Sequence, residues 1–133
     1  MKLILIVFFV MITNIGYSAP PSRMGVATTK YGEITIVRND TNRHMYKTSI
    51  PSGSYIQVTD QIFSHDVRVT VEFRDGSKIR LEPNSHIMLA NQWYDQGYLV
   101  KSIYLYDGVL IGIDVRNIVL RNGRGTRVDI GDN

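Results

Sequence analysis

The segment from Val67 to Leu81 has an apolar–polar alternation that constrains the fold more than any other feature. Apolar and polar residues alternate up to Phe73, the alternation stops at Asp75-Gly76, and it resumes up to Leu81. Successive side chains of a strand point to opposite faces, so this pattern is typical of two half-buried strands joined by a turn. The segment therefore predicts an antiparallel hairpin with one apolar face.

The length of the turn decides which side chains share that face, because residues directly opposite each other lie on the same side of a sheet. A two-residue loop places Phe73 opposite Lys78 and brings charge onto the apolar face. A three-residue loop instead pairs Val71 with Ile79. The third position of such a loop favours a left-handed residue, which Gly76 provides at little cost. The sequence therefore predicts a three-residue loop.

This loop predicts an inward face of apolar side chains and an outward face of charged ones. The inward residues are Val69, Val71, Phe73, Ile79 and Leu81, and the outward residues are Arg68, Glu72, Lys78 and Arg80. Burying each apolar side chain contributes roughly 1.5–3 kcal/mol. An exposed ion pair adds at most about 1 kcal/mol, so the apolar set decides the register. We also expect Gly76→Val to destabilise the domain more than Ser77→Val.

Short β-type runs separated by turn residues continue along most of the chain. They lie at 26–29, 33–37, 45–48, 55–58, 67–73, 78–81, 86–89, 99–105, 109–115, 118–120 and 126–130. Outside the N-terminal segment, no window has the sustained i, i+3, i+4, i+7 apolar stripe of a helix. Many short strands at close intervals predict an all-β sandwich, barrel or solenoid.

A side chain followed by Asp or Asn and then Gly recurs at 74–76, 106–108 and 121–123. The same loop parity at 106–108 predicts a second hairpin, in which Leu105 pairs with Val109 and Ile103 pairs with Ile111. Asp and Gly are the residues that turns favour. The predicted structural turn residues are Asp75, Gly76, Ser77, Asp107 and Gly108.

The N-terminus has the layout of a secretory signal peptide. A short basic start is followed by an unbroken apolar run at 3–12 and by the small residues Gly16 and Ser18. We predict a signal peptide at 1–18, a linker at 19–23 and one β domain at 24–133. The alternative is an uncleaved membrane anchor, but a span takes roughly 20 apolar residues, and Thr13 and Asn14 interrupt the run. The expected location is the periplasm or the cell exterior.

The segment V-x-V-x-F-x-D-G-S-x-I-x-L-x-P-N-S at 69–85 resembles the FecR family of bacterial envelope proteins. The likeness extends to 31–36, 52–56, 60–64, 105–109 and 124–128, although Thr59 stands where the family usually has Gly. The resemblance implies a FecR-like twisted β-solenoid or sandwich of short, mostly antiparallel strands. It also implies a bacterial envelope location.

The best-known members of that family sense a signal in the periplasm and control an iron-uptake sigma factor. They carry a cytoplasmic helical segment and a transmembrane helix, which this sequence does not show. We therefore expect an exported, non-enzymatic binding or scaffolding module whose partner is an envelope protein or a cell-wall component. The alternative is a periplasmic sensor component of a transmembrane signalling system.

Catalytic, metal and nucleic-acid sites are not expected. The three histidines, His44, His65 and His86, have no metal-ligand spacing, and the chain has no cysteine for a disulfide or a zinc site. Basic residues are interleaved with acidic ones, so no basic stripe for nucleic acid forms. The sequence therefore predicts neither an enzyme nor a bound cofactor.

One aromatic group is a candidate partner-binding site. Trp93, Tyr94 and Tyr98 lie in a segment that reads as a connection between strands, and Tyr104 and Tyr106 follow it. Exposed Trp and Tyr side chains can stack on sugars or anchor a partner. The alternative is that the rings cover one end of the core.

Overall fold

The computed structural model describes residues 23–40, 42 and 44–130, and this part of the chain is all-β. Its strands are β1 (Arg23–Thr29), β2 (Glu33–Asn39), β3 (Met45–Pro51), β4 (Ser54–Gln57), β5 (Gln61–Phe63), β6 (Val69–Phe73), β7 (Lys78–Leu81), β8 (His86–Asp95), β9 (Tyr98–Asp107), β10 (Val109–Asp114), β11 (Ile118–Asn122) and β12 (Arg127–Ile130). No helix occurs among these residues, as the sequence predicts. The predicted signal peptide and nearly all of the predicted linker lie outside the described residues.

The strands form two six-stranded sheets that pack as a sandwich. Sheet A has the order β12-β10-β7-β6-β1-β4, and sheet B has the order β11-β9-β8-β5-β2-β3. Taken two at a time along the chain, the strands form six pairs that each contribute one strand to each sheet: β1–β2, β3–β4, β5–β6, β7–β8, β9–β10 and β11–β12. The connection inside such a pair is called a corner here, because it carries the chain from one sheet to the other.

All six corners lie at the same end of the sandwich, which we call the corner end. This follows from the strand directions, since neighbouring pairs are antiparallel except that β9–β11 and β10–β12 are parallel. Every corner contains one residue with φ between 52° and 92°: Gly32, Gly53, His65, Asn84, Gly108 and Gly125. A left-handed residue reverses the chain tightly, so each corner is a backbone device.

The predicted hairpin at 69–81 is confirmed. Val71 pairs with Ile79 and Val69 pairs with Leu81, and Gly76 closes the three-residue loop with φ 90°. All five predicted inward side chains are at most 2% exposed. The four charged residues lie on the outer face, where Glu82 bonds Arg68 at 3.1 Å and Arg80 at 2.8 Å.

The predicted second hairpin at 106–108 is wrong. β9 belongs to sheet B and β10 to sheet A, so Leu105 does not pair with Val109. Asp107 and Gly108 instead form a corner. A Cβ atom on Gly108 would lie 2.2 Å from Ser85 Oγ and 2.6 Å from Ser85 Cα. A glycine with positive φ suits a corner as well as a hairpin loop. An odd number of loop residues therefore does not show whether the next strand joins the same sheet or the other one.

The aromatic segment at 92–98 is not a connection, and this prediction is also wrong. β8 and β9 run through it as a long hairpin that is closed by Gln96 and Gly97, with φ 52° and 87°. Two consecutive left-handed residues are typical of a two-residue loop whose twist matches the flanking strands. The short strand β5 was not among the predicted runs, because its three residues are too few for a visible alternation.

The core lies between the sheets, and its fully buried apolar side chains come from the first five strand pairs. β11 and β12 contribute only the partly buried Ile118, Leu120 and Val128. Among the residues that the structure describes there is no helix of the length and hydropathy needed to cross a membrane.

Candidate functional site

The end of the sandwich opposite the corners, which we call the opposite end, is closed by charged side chains. Lys101 is the main one. Along β9 the inward positions are Leu99, Lys101, Ile103 and Leu105, and Lys101 is 0% exposed in spite of its charge. A buried ammonium group is costly unless its hydrogen bonds are made, so its partners decide its role.

Lys101 Nζ is surrounded by acceptors from both sheets. It forms an ion pair with Asp75, and it donates to the carbonyl oxygens of Arg116 at 2.6 Å and Leu99 at 3.1 Å. Ser77 Oγ lies 3.2 Å from the same nitrogen. Asp75 Oδ1 in turn accepts from Ser77 N at 3.0 Å and from Ser77 Oγ at 2.7 Å. The Asp-Gly-Ser turn of sheet A therefore holds a lysine of sheet B.

The environment changes the acidity of Asp75. Burial raises the pKa of its carboxyl, but the hydrogen bonds from Lys101 and Ser77 outweigh burial and hold that pKa below its usual range. The carboxylate is therefore charged near neutral pH. Ser77 and Lys101 are both 0% exposed, so a substrate in solution does not reach the Ser77 hydroxyl or the Lys101 amine. This arrangement fastens the two sheets together.

A second buried ion pair closes the same end. Asp60, in the connection from β4 to β5, is 0% exposed. Arg38 on β2 bonds both of its carboxylate oxygens, with Nε–Oδ1 at 3.0 Å and Nη2–Oδ2 at 2.7 Å. The hydrogen bonds that Arg38 donates to this carboxylate raise the pKa of Arg38, against the opposing effect of burial. Gln57 N also donates to Asp60 at 2.8 Å.

The residue before Asp60 has an unfavourable backbone conformation. Thr59 has φ 74°, which is rare for a β-branched residue. Its amide donates to Leu89 O at 2.6 Å, and Leu89 N donates back to Asp60 O at 2.8 Å. These bonds hold the turn that aims Asp60 into the sandwich. Thr59 occupies the position where the FecR resemblance leads us to expect glycine.

Two of the three histidines share an aromatic neighbour, since His65 stacks on Phe63 with ring centroids 6.1 Å apart and His86 stacks on the same ring. His86 stacks on Phe63, with ring centroids 3.9 Å apart, and bonds Gln61 Oε1 at 2.7 Å. Burial lowers the pKa of His86, although the charge of Asp107 opposes this shift. Within the described ranges no group of three or more His, Cys, Asp or Glu side chains could hold a metal ion.

The structure divides the predicted aromatic group in two. Tyr104 and Tyr106 lie on the outer face of sheet B, where Tyr106 contacts His86 at a centroid distance of 4.7 Å and Tyr104 at 4.5 Å. With Phe63 they form a row of rings across β5, β8 and β9. The sequence did not indicate that Phe63 and His86 join this row, because strand order cannot be read from spacing.

Trp93, Tyr94 and Tyr98 lie on the end of the β8–β9 hairpin at 91–100, which we call the hairpin tip. β5 pairs with β8 only up to Met88, and β11 pairs with β9 only from Lys101 onward, so the tip extends past both neighbouring strands. Trp93 is 42%, Tyr94 66% and Tyr98 64% exposed. Such exposure does not fit rings that cover the core.

The strand pairing shows which of these rings share a surface. Trp93 is opposite Val100 and Asp95 is opposite Tyr98, whereas Tyr94 is opposite Leu99. Side chains that face each other across the ladder lie on one side. Trp93 and Tyr98 therefore share the outer face with Tyr104 and Tyr106, and Tyr94 is on the other face.

This chain matches no family model, no curated protein and no solved structure.

Proposed function

We propose that this protein is an exported, non-enzymatic binding module of the bacterial cell envelope, built on a FecR-like domain. The observation that carries the proposal is the outer face of the β8–β9 hairpin. Tyr98, Trp93, Tyr104 and Tyr106 follow one another along this face. At about 3.3 Å per residue, the strand from Tyr98 to Tyr106 is roughly 26 Å long.

Such a face suits an extended partner better than a small molecule. Its rings offer stacking area, and the polar groups of Asp95, Asn91 and Ser102 lie between them on the same side. Small-molecule sites are concave and mostly apolar, whereas this surface is the outer side of the paired strands β8 and β9. A cell-wall polymer or a protein segment of the envelope is the kind of partner that fits.

The finer fold implied by the resemblance, a twisted β-solenoid, belongs to the same proposal. It is supported by the last two strand pairs, because β9–β10 and β11–β12 follow the same path and pair in parallel. The signal-peptide pattern at 1–18 supports export into the envelope. The motif at 69–85 supports the family assignment.

The test measures binding to isolated cell-wall sacculi and to the proteins of the envelope fraction. We expect Trp93→Ala combined with Tyr98→Ala to weaken binding about tenfold or more, since aromatic side chains dominate most interfaces. The matched control is Tyr31→Ala, which removes a ring that is 69% exposed at the corner end. The proposal is overturned if the double variant binds as tightly as the wild type. It is also overturned if the wild type binds no partner.

A further inference from the structure

The two side edges of the sandwich differ in their protection. One edge consists of β3 and β4, and the other of β11 and β12. An edge strand has unpaired N–H and C=O groups that can add another strand, and natural proteins block this with proline, lysine or very short strands. The first edge has Pro51 and Lys47 on β3, and β4 has four residues. β12 is equally short and carries the charged residues Arg127 and Asp129, but it has neither proline nor lysine.

An apolar cavity opens beside β12. It has a volume of about 100 Å³, and its lining is entirely aliphatic: Ile79, Ile103, Leu110, Val115, Ile118, Leu120, Val128 and Ile130. Ile130 is 63% exposed at its mouth. The last strand pair therefore leaves apolar side chains at an edge whose backbone has no further strand beside it among the described residues.

The charges on β12 specify how a second strand could pair with it. Arg127 and Asp129 lie on the outer face, opposite Val109 and Ile111 of β10, and within one chain they bond each other past the inward Val128 at 3.1 Å. Two β12 strands that run antiparallel about Val128 place Arg127 of each copy opposite Asp129 of the other. Opposite charges at directly facing positions stabilise a strand pair.

Other registers of the same pairing are unfavourable. A shift of one residue turns Val128 to the outer face. A shift of two residues brings Asp129 opposite Asp129, and the reverse shift brings Arg127 opposite Arg127, so like charges meet. The charge pattern of β12 therefore complements a second copy of itself in one register.

We propose that the β12 edge is a self-association surface, on which a second copy of this chain binds by antiparallel β12–β12 pairing about a two-fold axis. The two six-stranded A sheets become one continuous sheet, and each copy covers the mouth of the other's cavity. A two-fold interface uses the same patch on both copies, which the Arg127–Asp129 exchange requires.

The test is a charge exchange on the full chain, followed by sedimentation equilibrium over a range of concentrations. We expect a dimer for the wild type. Arg127→Asp and Asp129→Arg should each weaken dimerisation at least about tenfold, because each places like charges opposite each other twice in the interface. The two substitutions combined should restore the dimer, since the facing charges are again opposite. Met45→Arg on the other edge, where Met45 is 65% exposed, is the matched control and should leave the dimer intact.

Three outcomes would overturn the proposal. The first is a wild-type protein that stays monomeric at the highest concentration. The second is a dimer that neither single exchange weakens while circular dichroism shows both variants folded. The third is an open-ended assembly that Met45→Arg abolishes, because this would mean that the β3–β4 edge of one copy binds the β11–β12 edge of the next.

Discussion

The corner end and the opposite end of the sandwich join the same two sheets in different ways. At the corner end the backbone itself crosses between the sheets six times, each time through a residue with positive φ. At the opposite end the described chain crosses in the connections 58–60 and 115–117, and these also contain a residue with positive φ, Thr59 and Asn117. Those two connections contain Asp60 and the Arg116 carbonyl, the partners of Arg38 and Lys101. Both ends thus use positive-φ residues where the chain changes sheets, and the opposite end differs by adding the long-range ion pairs Arg38–Asp60 and Lys101–Asp75.

The largest effect is expected from Lys101→Met. It leaves Asp75 and the carbonyls of Leu99 and Arg116 without their shared donor, and removing one partner of a buried ion pair costs about 3–5 kcal/mol. We expect a loss of about 4 kcal/mol of unfolding free energy, measured by denaturant unfolding. The control is Lys78→Met on the outer face of β7, which should change stability by less than about 0.5 kcal/mol. Equal stabilities of the two variants would show that Lys101 does not hold the opposite end.

Two glycines at the corner end separate the cost of a positive φ from the cost of steric overlap with a neighbouring residue. Gly53 and Gly108 both have positive φ, but a Cβ on Gly53 meets nothing within 4 Å, whereas one on Gly108 meets Ser85. Gly53→Ala should cost about 1 kcal/mol from conformation alone. Gly108→Ala should cost about 3 kcal/mol, because overpacking is added. Thermal or denaturant unfolding measures both, and equal losses would mean that the corner at Gly108 can shift away from Ser85.

A stabilising change is expected at the opposite end. Thr59 has φ 74°, and replacing it with glycine relieves the strain of a β-branched residue there. We expect Thr59→Gly to raise the unfolding free energy by about 1 kcal/mol. Thr28→Gly, in the extended strand β1, is the control and should lower it, since glycine is unfavourable in strands. A loss of stability on Thr59→Gly would show that the Thr59 side chain contributes more than its backbone costs.

The smallest effect is a difference in acid response between the two ends. The pKa of Asp75 is lower in the folded chain than its ordinary value of 3.8, so the folded state binds fewer protons than the unfolded one. Stability from this group is therefore fully present above about pH 4 and is lost as pH falls through the lowered pKa. Asp75→Asn should flatten the decline of unfolding free energy between pH 5 and pH 2, whereas Gly53→Ala should leave its slope unchanged. If the unfolding free energy of Asp75→Asn declines between pH 5 and pH 2 as steeply as that of the wild type, this prediction is wrong.

The register of the hairpin at 69–81 was predictable because all of its determinants are local. Alternation, loop parity and a glycine at the third loop position agree on one pairing. The ranking of Gly76→Val above Ser77→Val stays a prediction: Gly76 has φ 90°, but Ser77 is completely buried and bonds both Asp75 and Lys101, which the sequence did not indicate. Its contacts come from β9, some 24 residues further along the chain, and no local pattern contains them.

The buried charges had a sequence signal that was not used. Lys101 continues the inward positions Leu99, Ile103 and Leu105, and Arg38 follows Ile34 and Ile36 in the same phase. A charge in phase with an apolar face predicts a buried charge but not its partner. Which carboxylate becomes the partner, Asp75 for Lys101 and Asp60 for Arg38, is decided by the order of the strands in the two sheets. The hairpin tip was missed for a related reason, since Trp93 and Tyr94 on exposed strands look like the residues of a connection.

The position of β1 determines how the domain bears a load. β1 is hydrogen-bonded to β4 on one side and to β6 on the other, although chain ends usually fray first. A pull transmitted through Arg23 is therefore shared by two ladders of backbone hydrogen bonds. Within the described part of the chain, a pull on β12 is resisted by one ladder, the one with β10. A domain tethered through its N-terminal side is thus held by a strand that is paired on both sides, and we expect β12 to detach before it.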